Sequence, residues 1–118
     1  MAGIAINGLG RIGRAALKIL EQADGAEVVA VNDLIPPDNL AYLLRYDTVY
    51  GRWHTTVTAD SGALVVGGRK IPVLAERDPA GLPWKALGVD LVLECTGALR
   101  REGDLRKHLS AGARRAGP

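Results

Sequence analysis

The sequence predicts an α/β fold with a mostly parallel sheet, and two observations predict it. First, a short apolar run at residues 4–6 leads into the glycine pattern G-x-G-x-x-G at residues 8–13. Second, a helix-period segment separates this pattern from another apolar run at residues 28–31, which Asp33 follows closely. Strand, glycine turn, helix, strand and acid, in this order, are what a Rossmann-type dinucleotide-binding unit requires.

Each residue type in the pattern has a physical reason. Gly8 lets the chain leave the strand in a turn that a Cβ would hinder. Gly10 lets a pyrophosphate approach the backbone, and Gly13 lets the helix pack closely on the strands. Asp33 can accept hydrogen bonds from both ribose hydroxyls of an adenosine, and its charge opposes a 2′-phosphate, so we expect NAD rather than NADP. Asn and Asp also start loops, but after this strand we favour the ribose role.

Two helices are predicted from apolar spacing. The first follows residue 10, and its predicted inward stripe consists of Ile12, Ala15, Ala16, Ile19, Leu20 and Ala23. The second follows the break at residues 36–38, with Leu40, Leu43 and Leu44 on its buried face.

Short strands are predicted at 55–58, 63–66 and 70–74, and the glycine turns between them predict a small antiparallel meander. Residues 82–87 suit a helix of one or two turns, 89–95 a parallel strand covered on both faces, and 104–111 a further helix. No apolar strand follows residue 113. We therefore expect roughly the first four strands of the order 3-2-1-4-5-6, an incomplete second half, and residues 89–95 at the edge of the sheet.

Composition excludes several classes of protein. The formal charge of +2 is small and the basic residues are scattered, which argues against a nucleic-acid partner. No apolar run approaches the ~20 residues of a membrane span, and no signal peptide precedes the first strand. The single cysteine excludes an internal disulfide and suits a reducing compartment. We expect a cytoplasmic protein that binds neither nucleic acid nor membrane.

The residues with reactive side chains do not form a catalytic or metal pattern. Cys95, the only cysteine, ends an apolar strand beside Glu94, and both burial and a carboxylate raise a thiol pKa. We therefore interpret it as structural. His54 and His108 lack metal-ligand spacing to it or to each other. The prediction is no catalytic residue and no metal site.

Several motifs, in matching order and spacing, resemble the phosphorylating glyceraldehyde-3-phosphate dehydrogenases over residues 2–115. They are NGLGRIGR at 7–14, VNDL at 31–34, YDTVYGRW at 46–53, ERDP at 76–79, LPW at 82–84, ECTG at 94–97, and HL and AGA within 108–113. One departure is residue 98, an alanine where family members usually carry an aromatic residue near this point.

The resemblance implies a set of cofactor-binding residues. Gly8, Gly10, Arg11 and Ile12 would cradle the pyrophosphate, mainly through the backbone. Asp33 would hold the adenosine ribose, and Arg77 would lie beside the adenine. Thr96 and Gly97 would line the cofactor cleft.

The resemblance also implies a function. Full-length members of the family are NAD-dependent oxidoreductases of glycolysis that oxidise an aldehyde phosphate with NAD and inorganic phosphate. We expect the full-length parent of this chain to be a homo-oligomer. The family's catalytic cysteine, catalytic histidine and substrate domain have no counterpart in residues 1–118. We therefore expect the N-terminal part of an NAD(P)-binding domain, inactive and prone to self-association. Truncation, a frameshift and a split gene all remain open.

Two alternative functions also remain open at this point. The cofactor half of an erythrose-4-phosphate dehydrogenase would have a similar sequence. The second alternative, from another class, is a module without chemistry that binds adenine nucleotides or serves in an interaction.

Overall fold

The computed structural model describes residues 2–22, 25–46, 57–76, 81–95, 112–113 and 115–117. The chain forms two helices and seven strands within these ranges: β1 (Ala2–Asn7), α1 (Arg11–Glu21), β2 (Ala26–Asn32), α2 (Pro37–Tyr46), β3 (Val57–Asp60), β4 (Ala63–Val66), β5 (Arg69–Leu74), β6 (Leu91–Glu94) and β7 (Arg115–Gly117).

All seven strands belong to one sheet with the order β3-β4-β5-β2-β1-β6-β7. The run from β5 to β7 is parallel, whereas β3, β4 and β5 pair as an antiparallel meander. Counted among the parallel strands alone, the order is third, second, first, fourth, fifth, which is the Rossmann order without its sixth strand. The predicted fold class is confirmed.

The place of β6 in the sheet corrects one prediction. Residues 89–95 were expected to form an edge, but β6 lies between β1 and β7, and Val92 pairs with Ala116 of β7. The described chain therefore contributes a fifth parallel strand. Strand pairing uses backbone groups, so the sequence Arg-Ala-Gly can form β7 without the apolar run by which strands are recognised.

The buried face of α1 corrects a second prediction. Ile12 and Ile19 are 72% and 59% exposed, whereas Gly13 and Leu17 are buried. A Cβ on residue 13 would lie 2.0 Å from the carbonyl oxygen of Gly8, so the helix can approach the sheet this closely only with its glycine facing inward. That contact fixes the rotation of the helix. Ala16 and Leu20 of the predicted stripe do pack against the core, so the buried face overlaps the predicted one and is rotated toward Gly13 and Leu17.

The second helix buries two of the three leucines expected of it. Leu40 and Leu44 are fully buried together with Ala41, and Leu43 is half-buried. They pack on the same face of the sheet as Val57 and Leu64 of the meander. The meander strands start or end within two residues of their predicted bounds.

A turn replaces the short helix predicted at residues 82–87. Val89 N–H donates to the Trp84 carbonyl oxygen at 3.0 Å, and Gly88 N–H donates to the Lys85 carbonyl oxygen at 3.2 Å. Gly88 has φ +69°, and this pair of bonds is the pattern that ends a helix at a glycine. A single turn therefore starts and stops here. The helix predicted at 104–111 lies outside the described residues.

The core has two parts, one on each face of the parallel strands. Successive strand residues point to opposite faces, so Ile6 and Val31 join the part beneath α1 and α2, while Ala5 and Ala30 join the part around Trp84. None of the helices that the structure describes has the length and apolar character needed to cross a bilayer.

Candidate functional site

The carboxyl ends of the parallel strands lie along one edge of the sheet, which we call the carboxyl edge. It comprises the last residue of each of four strands and the residues that follow it: 7–10 at the end of β1, 32–33 at the end of β2, 74–76 at the end of β5 and 94–95 at the end of β6. The strand order reverses at β1, because β2 lies on one side of it and β6 on the other. In open α/β sheets, ligands bind outside the carboxyl ends of the strands at such a reversal.

The glycine turn starts from a backbone shape that favours glycine. Gly8 has φ +97°, in the region that L side chains rarely adopt. Its N–H donates to the carbonyl oxygen of Asn32 at 2.8 Å, so the turn is bonded to the end of β2. Leu9, next in the turn, is fully buried. The turn is therefore anchored on both sides before α1 begins.

The two remaining glycines of the pattern differ in what surrounds them. A Cβ on Gly13 would lie 2.0 Å from the Gly8 carbonyl oxygen, so the fold itself requires glycine there. Among the described residues other than its chain neighbours, no atom would lie within 4 Å of a Cβ on Gly10, and its φ of −71° and ψ of −164° suit any residue. Protein packing therefore gives no reason for glycine at position 10. The open space above it suits a ligand that must approach the backbone.

The N-terminus of α1 opens onto this space. Its N-cap is Gly10, which makes no side-chain capping bond, and the first turn contains no acidic residue. Arg11 and Ile12 in that turn are exposed. Arg14 Nη1 donates to the carbonyl oxygen of Leu9 at 3.1 Å and so stabilises the turn. Uncapped N–H groups and the positive end of the helix dipole favour an anion such as a pyrophosphate.

The contacts of Asp33 are compatible with both roles considered from the sequence, which are starting a loop and binding a ribose. Its Oδ1 accepts a hydrogen bond from the N–H of Ile35 at 2.9 Å, which is the local bond by which aspartate starts a turn. Its Oδ2 accepts from the N–H of Leu9 at 2.7 Å, which ties β2 to the glycine turn. Each carboxylate oxygen can accept a second hydrogen bond. The half-buried carboxylate is thereby fixed beside the glycine turn, with accepting capacity left for hydroxyl donors.

A chain of buried polar groups, which we call the amide ladder, crosses the carboxyl edge. Asn7 Nδ2 donates to Glu94 Oε1 at 2.6 Å, and Asn32 Nδ2 donates to Asn7 Oδ1 at 2.7 Å. Asn32 then bonds the backbone of Glu76 twice: Nδ2 donates to the carbonyl oxygen and Oδ1 accepts from the N–H, both at 2.9 Å. The ladder links the ends of three strands, in the order β6, β1, β2, and the segment that follows β5.

Sequence reasoning did not identify the amide ladder, although a signal existed. Asn7, Asn32 and Glu94 are the last residues of β1, β2 and β6, and the register places Asn7 opposite each of the other two. They are only 3%, 5% and 6% exposed. Polar residues at the same position of three apolar strands become neighbours in a parallel sheet, so this placement could have predicted their contact.

The only thiol of the chain lies at the same edge. Cys95 donates its backbone N–H to the carbonyl oxygen of Asn7 at 2.8 Å, and its side chain is half-buried. Burial, and to a smaller extent the charge of Glu94, raise the pKa of the Cys95 thiol. Because the thiolate is the nucleophilic form, this environment suits a structural cysteine.

The remaining candidate residues from the sequence lie outside the described residues. They are Arg77, Thr96, Gly97, His54 and His108. Among the described residues, no group of three or more His, Cys, Asp or Glu side chains could hold a metal ion.

Comparison with known proteins agrees with this geometry. The family model described as "Glyceraldehyde 3-phosphate dehydrogenase, NAD binding domain" matches residues 2–102. The chain is 54% identical over 116 residues to a protein named glyceraldehyde-3-phosphate dehydrogenase from Kitasatospora aureofaciens, and the match covers 98% of this chain and 35% of the relative. The protein of that name from Chlamydia pneumoniae is 50% identical over 113 residues, covering 95% of this chain and 34% of the relative. Glyceraldehyde-3-phosphate dehydrogenase A of Escherichia coli K12 is 46% identical over 112 residues, with 95% and 34% covered. The chain thus spans about a third of the length of these relatives.

Proposed function

This chain belongs to the family of glyceraldehyde-3-phosphate dehydrogenase NAD-binding domains, whose cofactor is NAD, and we propose that its carboxyl edge is the surface that holds NAD. The pyrophosphate lies on the backbone of residues 8–12, and Asp33 receives the adenosine ribose. Arg77 lies beside the adenine, and Thr96 and Gly97 line the cofactor cleft. Residues 1–118 act as the N-terminal part of an NAD(P)-binding domain.

The observation that carries the proposal is the contrast between Gly10 and Gly13. Packing explains the glycine at 13, because a Cβ there would collide with the Gly8 carbonyl oxygen. Packing against the described residues does not explain the glycine at 10, because beyond its chain neighbours none of their atoms lies within 4 Å of an added Cβ. That space lies at the uncapped N-terminus of α1, where a phosphate group is electrostatically favoured.

The proposed role of the domain in chemistry is to bind and orient the cofactor. Bound NAD supplies the acceptor for a hydride. The chain's own residues fix the two ends of the adenosine diphosphate: backbone N–H groups at the N-terminus of α1 hold the charge of the pyrophosphate, and Asp33 orients the ribose. Holding the reactants in a fixed geometry removes entropy from the barrier of the step that follows.

The parent reaction follows from the family. We propose that this domain serves the oxidation of an aldehyde phosphate with NAD and inorganic phosphate, as part of glycolysis in the cytoplasm and within a homo-oligomer. The family model and the relatives named above carry the glyceraldehyde-3-phosphate dehydrogenase name. This does not favour an erythrose-4-phosphate dehydrogenase or a non-catalytic nucleotide-binding module.

Calorimetric titration of the chain with NAD and NADP tests the proposal. We expect NAD to bind and NADP to bind far more weakly, because a 2′-phosphate would lie against the charge of Asp33. Asp33→Ala should weaken NAD binding by about 1–3 kcal/mol, the range for hydrogen bonds to a charged group. Asp33→Asn, which removes the charge and keeps one accepting oxygen, should reduce the difference in affinity between NAD and NADP.

Thermal unfolding of each variant separates lost binding from lost folding, because Asp33 also holds the glycine turn through Leu9. If the unmodified chain binds NADP as tightly as NAD, the role given to Asp33 is wrong. If it binds neither dinucleotide nor ADP-ribose, the proposed site is wrong.

A further inference from the structure

We propose that Glu94 is a positioning residue for the adenosine end of the cofactor site, acting at a distance through Asn7 and Asn32. The inference rests on the proposed NAD site. Glu94 ends β6, on one side of the strand reversal, whereas the residues proposed for adenosine follow β2 and β5 on the other side. The amide ladder is the connection between the two sides.

The ladder has a direction, and Glu94 sets it. A carboxylate only accepts hydrogen bonds, whereas a carboxamide has one accepting and one donating end. Glu94 Oε1 takes the Nδ2 donor of Asn7, so Oδ1 of Asn7 is turned toward β2. There it accepts from Nδ2 of Asn32. The acceptor at position 94 therefore orients the Asn7 amide, and through it favours the same direction of Asn32 that the backbone of Glu76 requires.

The second amide transmits that direction to the backbone. With its nitrogen toward Asn7, Asn32 offers Oδ1 to the N–H of Glu76 and Nδ2 to its carbonyl oxygen. A reversed amide would place donor against donor and acceptor against acceptor, and both bonds would be lost. Because β5 ends at Leu74, this side chain continues the pairing of β2 with β5 beyond the end of the strand.

The two segments that the ladder joins are those that carry the adenosine candidates. Asn32 directly precedes Asp33, and Glu76 directly precedes Arg77. Asp33 is bonded to the same segment, since its N–H donates to the Leu74 carbonyl oxygen at 2.8 Å. The side chains of Asn7, Asn32 and Glu94 are buried, so water cannot readily replace a lost partner among them, and the cost of an unsatisfied buried polar group is high.

The experiment compares Glu94→Leu, which keeps the size and removes the acceptor, with Glu94→Gln, which keeps an accepting oxygen. In the ligand-free chain, hydrogen exchange of the Glu76 amide reports the far end of the ladder. In a second measurement, ADP-ribose binding reports the adenosine site. We expect Glu94→Leu to accelerate that exchange and to weaken ADP-ribose about tenfold, and Glu94→Gln to restore both.

Val66→Ala is the matched control for destabilisation. Val66 is buried in β4, away from the ladder, so its truncation should lower the thermal midpoint and leave the ADP-ribose affinity unchanged. Should Glu94→Leu fail to fold, Glu94→Asp, which withdraws the acceptor by one methylene, serves in the same two measurements. A double-mutant cycle with Asn32→Ala should show coupling in ADP-ribose binding between residues 94 and 32.

The outcomes are distinguishable. If the unmodified chain binds no ADP-ribose, the proposed function fails and this inference fails with it. If it binds, but Glu94→Leu leaves both the Glu76 exchange and the affinity unchanged, only the role of Glu94 is overturned. If the ADP-ribose affinity falls in proportion to the loss of thermal stability in both Val66→Ala and Glu94→Leu, Glu94 has a structural role alone and the proposal is also overturned.

Discussion

The carboxyl edge and the antiparallel meander use polar residues in opposite ways. In the meander, β3 to β5, Leu64 and Val66 point inward. Its charged side chains are exposed or half-buried: Lys70 Nζ lies 3.2 Å from Asp60 Oδ2, and Arg69 forms an ion pair with Glu21 of α1. At the carboxyl edge, the polar side chains of Asn7 and Glu94 are buried and bonded to one another. The two regions share one sheet, so the difference does not come from their architecture.

The difference separates residues that stabilise from residues that position. Burial of polar groups costs free energy unless each finds a partner, and an apolar core of the same shape would hold the strands together as well. The meander follows the simpler solution. The carboxyl edge carries buried polar groups where the strand order reverses, which is where a ligand binds in this class of fold.

The largest effect is expected from Gly13→Ala, which tests whether the edge depends on close packing. The new Cβ would lie 2.0 Å from the Gly8 carbonyl oxygen, so α1 must move away from the sheet. We expect a loss of about 3 kcal/mol or more in the free energy of unfolding, measured by urea denaturation. An unchanged midpoint would show that the helix does not need this contact.

Gly10→Val is expected to separate binding from stability at the same turn. In the part of the chain that the structure describes, no atom beyond the chain neighbours lies within 4 Å of the added Cβ, so the free energy of unfolding should change by less than about 1 kcal/mol. NAD binding should weaken about tenfold or more, which is 1.4 kcal/mol, because the side chain occupies the space proposed for the pyrophosphate. Calorimetry with NAD and urea denaturation measure the two effects; equal NAD affinity in both proteins would contradict the proposed site.

Cys95→Ala tests whether the thiol at the edge has any chemistry. Since burial and Glu94 raise the pKa of the Cys95 thiol, little thiolate forms at neutral pH. We expect no oxidation of glyceraldehyde-3-phosphate by this chain with NAD and phosphate, before or after the substitution, and slow alkylation of the unmodified thiol at pH 7. Turnover that disappears in Cys95→Ala would overturn the structural assignment.

The smallest effect is expected in the meander, from Lys70→Gln. The hydrogen bond from Lys70, followed by that from Ser61 and the charge of Lys70, lowers the pKa of Asp60 below its ordinary value of 3.8. A carboxyl group whose pKa falls on folding contributes stability above its unfolded pKa and loses it as the pH falls through the folded value. The slight advantage of the unmodified chain should therefore be present at pH 6 and vanish in acid.

Thermal midpoints of the two proteins across this pH range measure the effect, and NAD affinity should be the same in both. A change in NAD affinity would mean that the meander and the carboxyl edge are coupled more closely than their different use of polar groups indicates.

The sequence by itself determined the local features of this protein. The alternation of apolar residues fixed the meander, because a strand with one buried face must repeat every two residues. The glycine pattern after β1 and the acid after β2 determined the turn and its position, because few residues other than glycine adopt the φ of +97° found at Gly8.

Only the tertiary structure decided the features that depend on a second segment. The predicted stripe of α1 is only partly its buried face, because the contact of Gly13 with Gly8 rotates the helix so that Gly13 and Leu17 lie inward. A strand as short as Arg115–Gly117 forms because β6 offers it a backbone edge. The amide ladder arises because the register aligns the last residues of three strands that lie far apart in sequence. Periodicity describes each segment alone, whereas rotation, pairing and register are properties of two segments in contact.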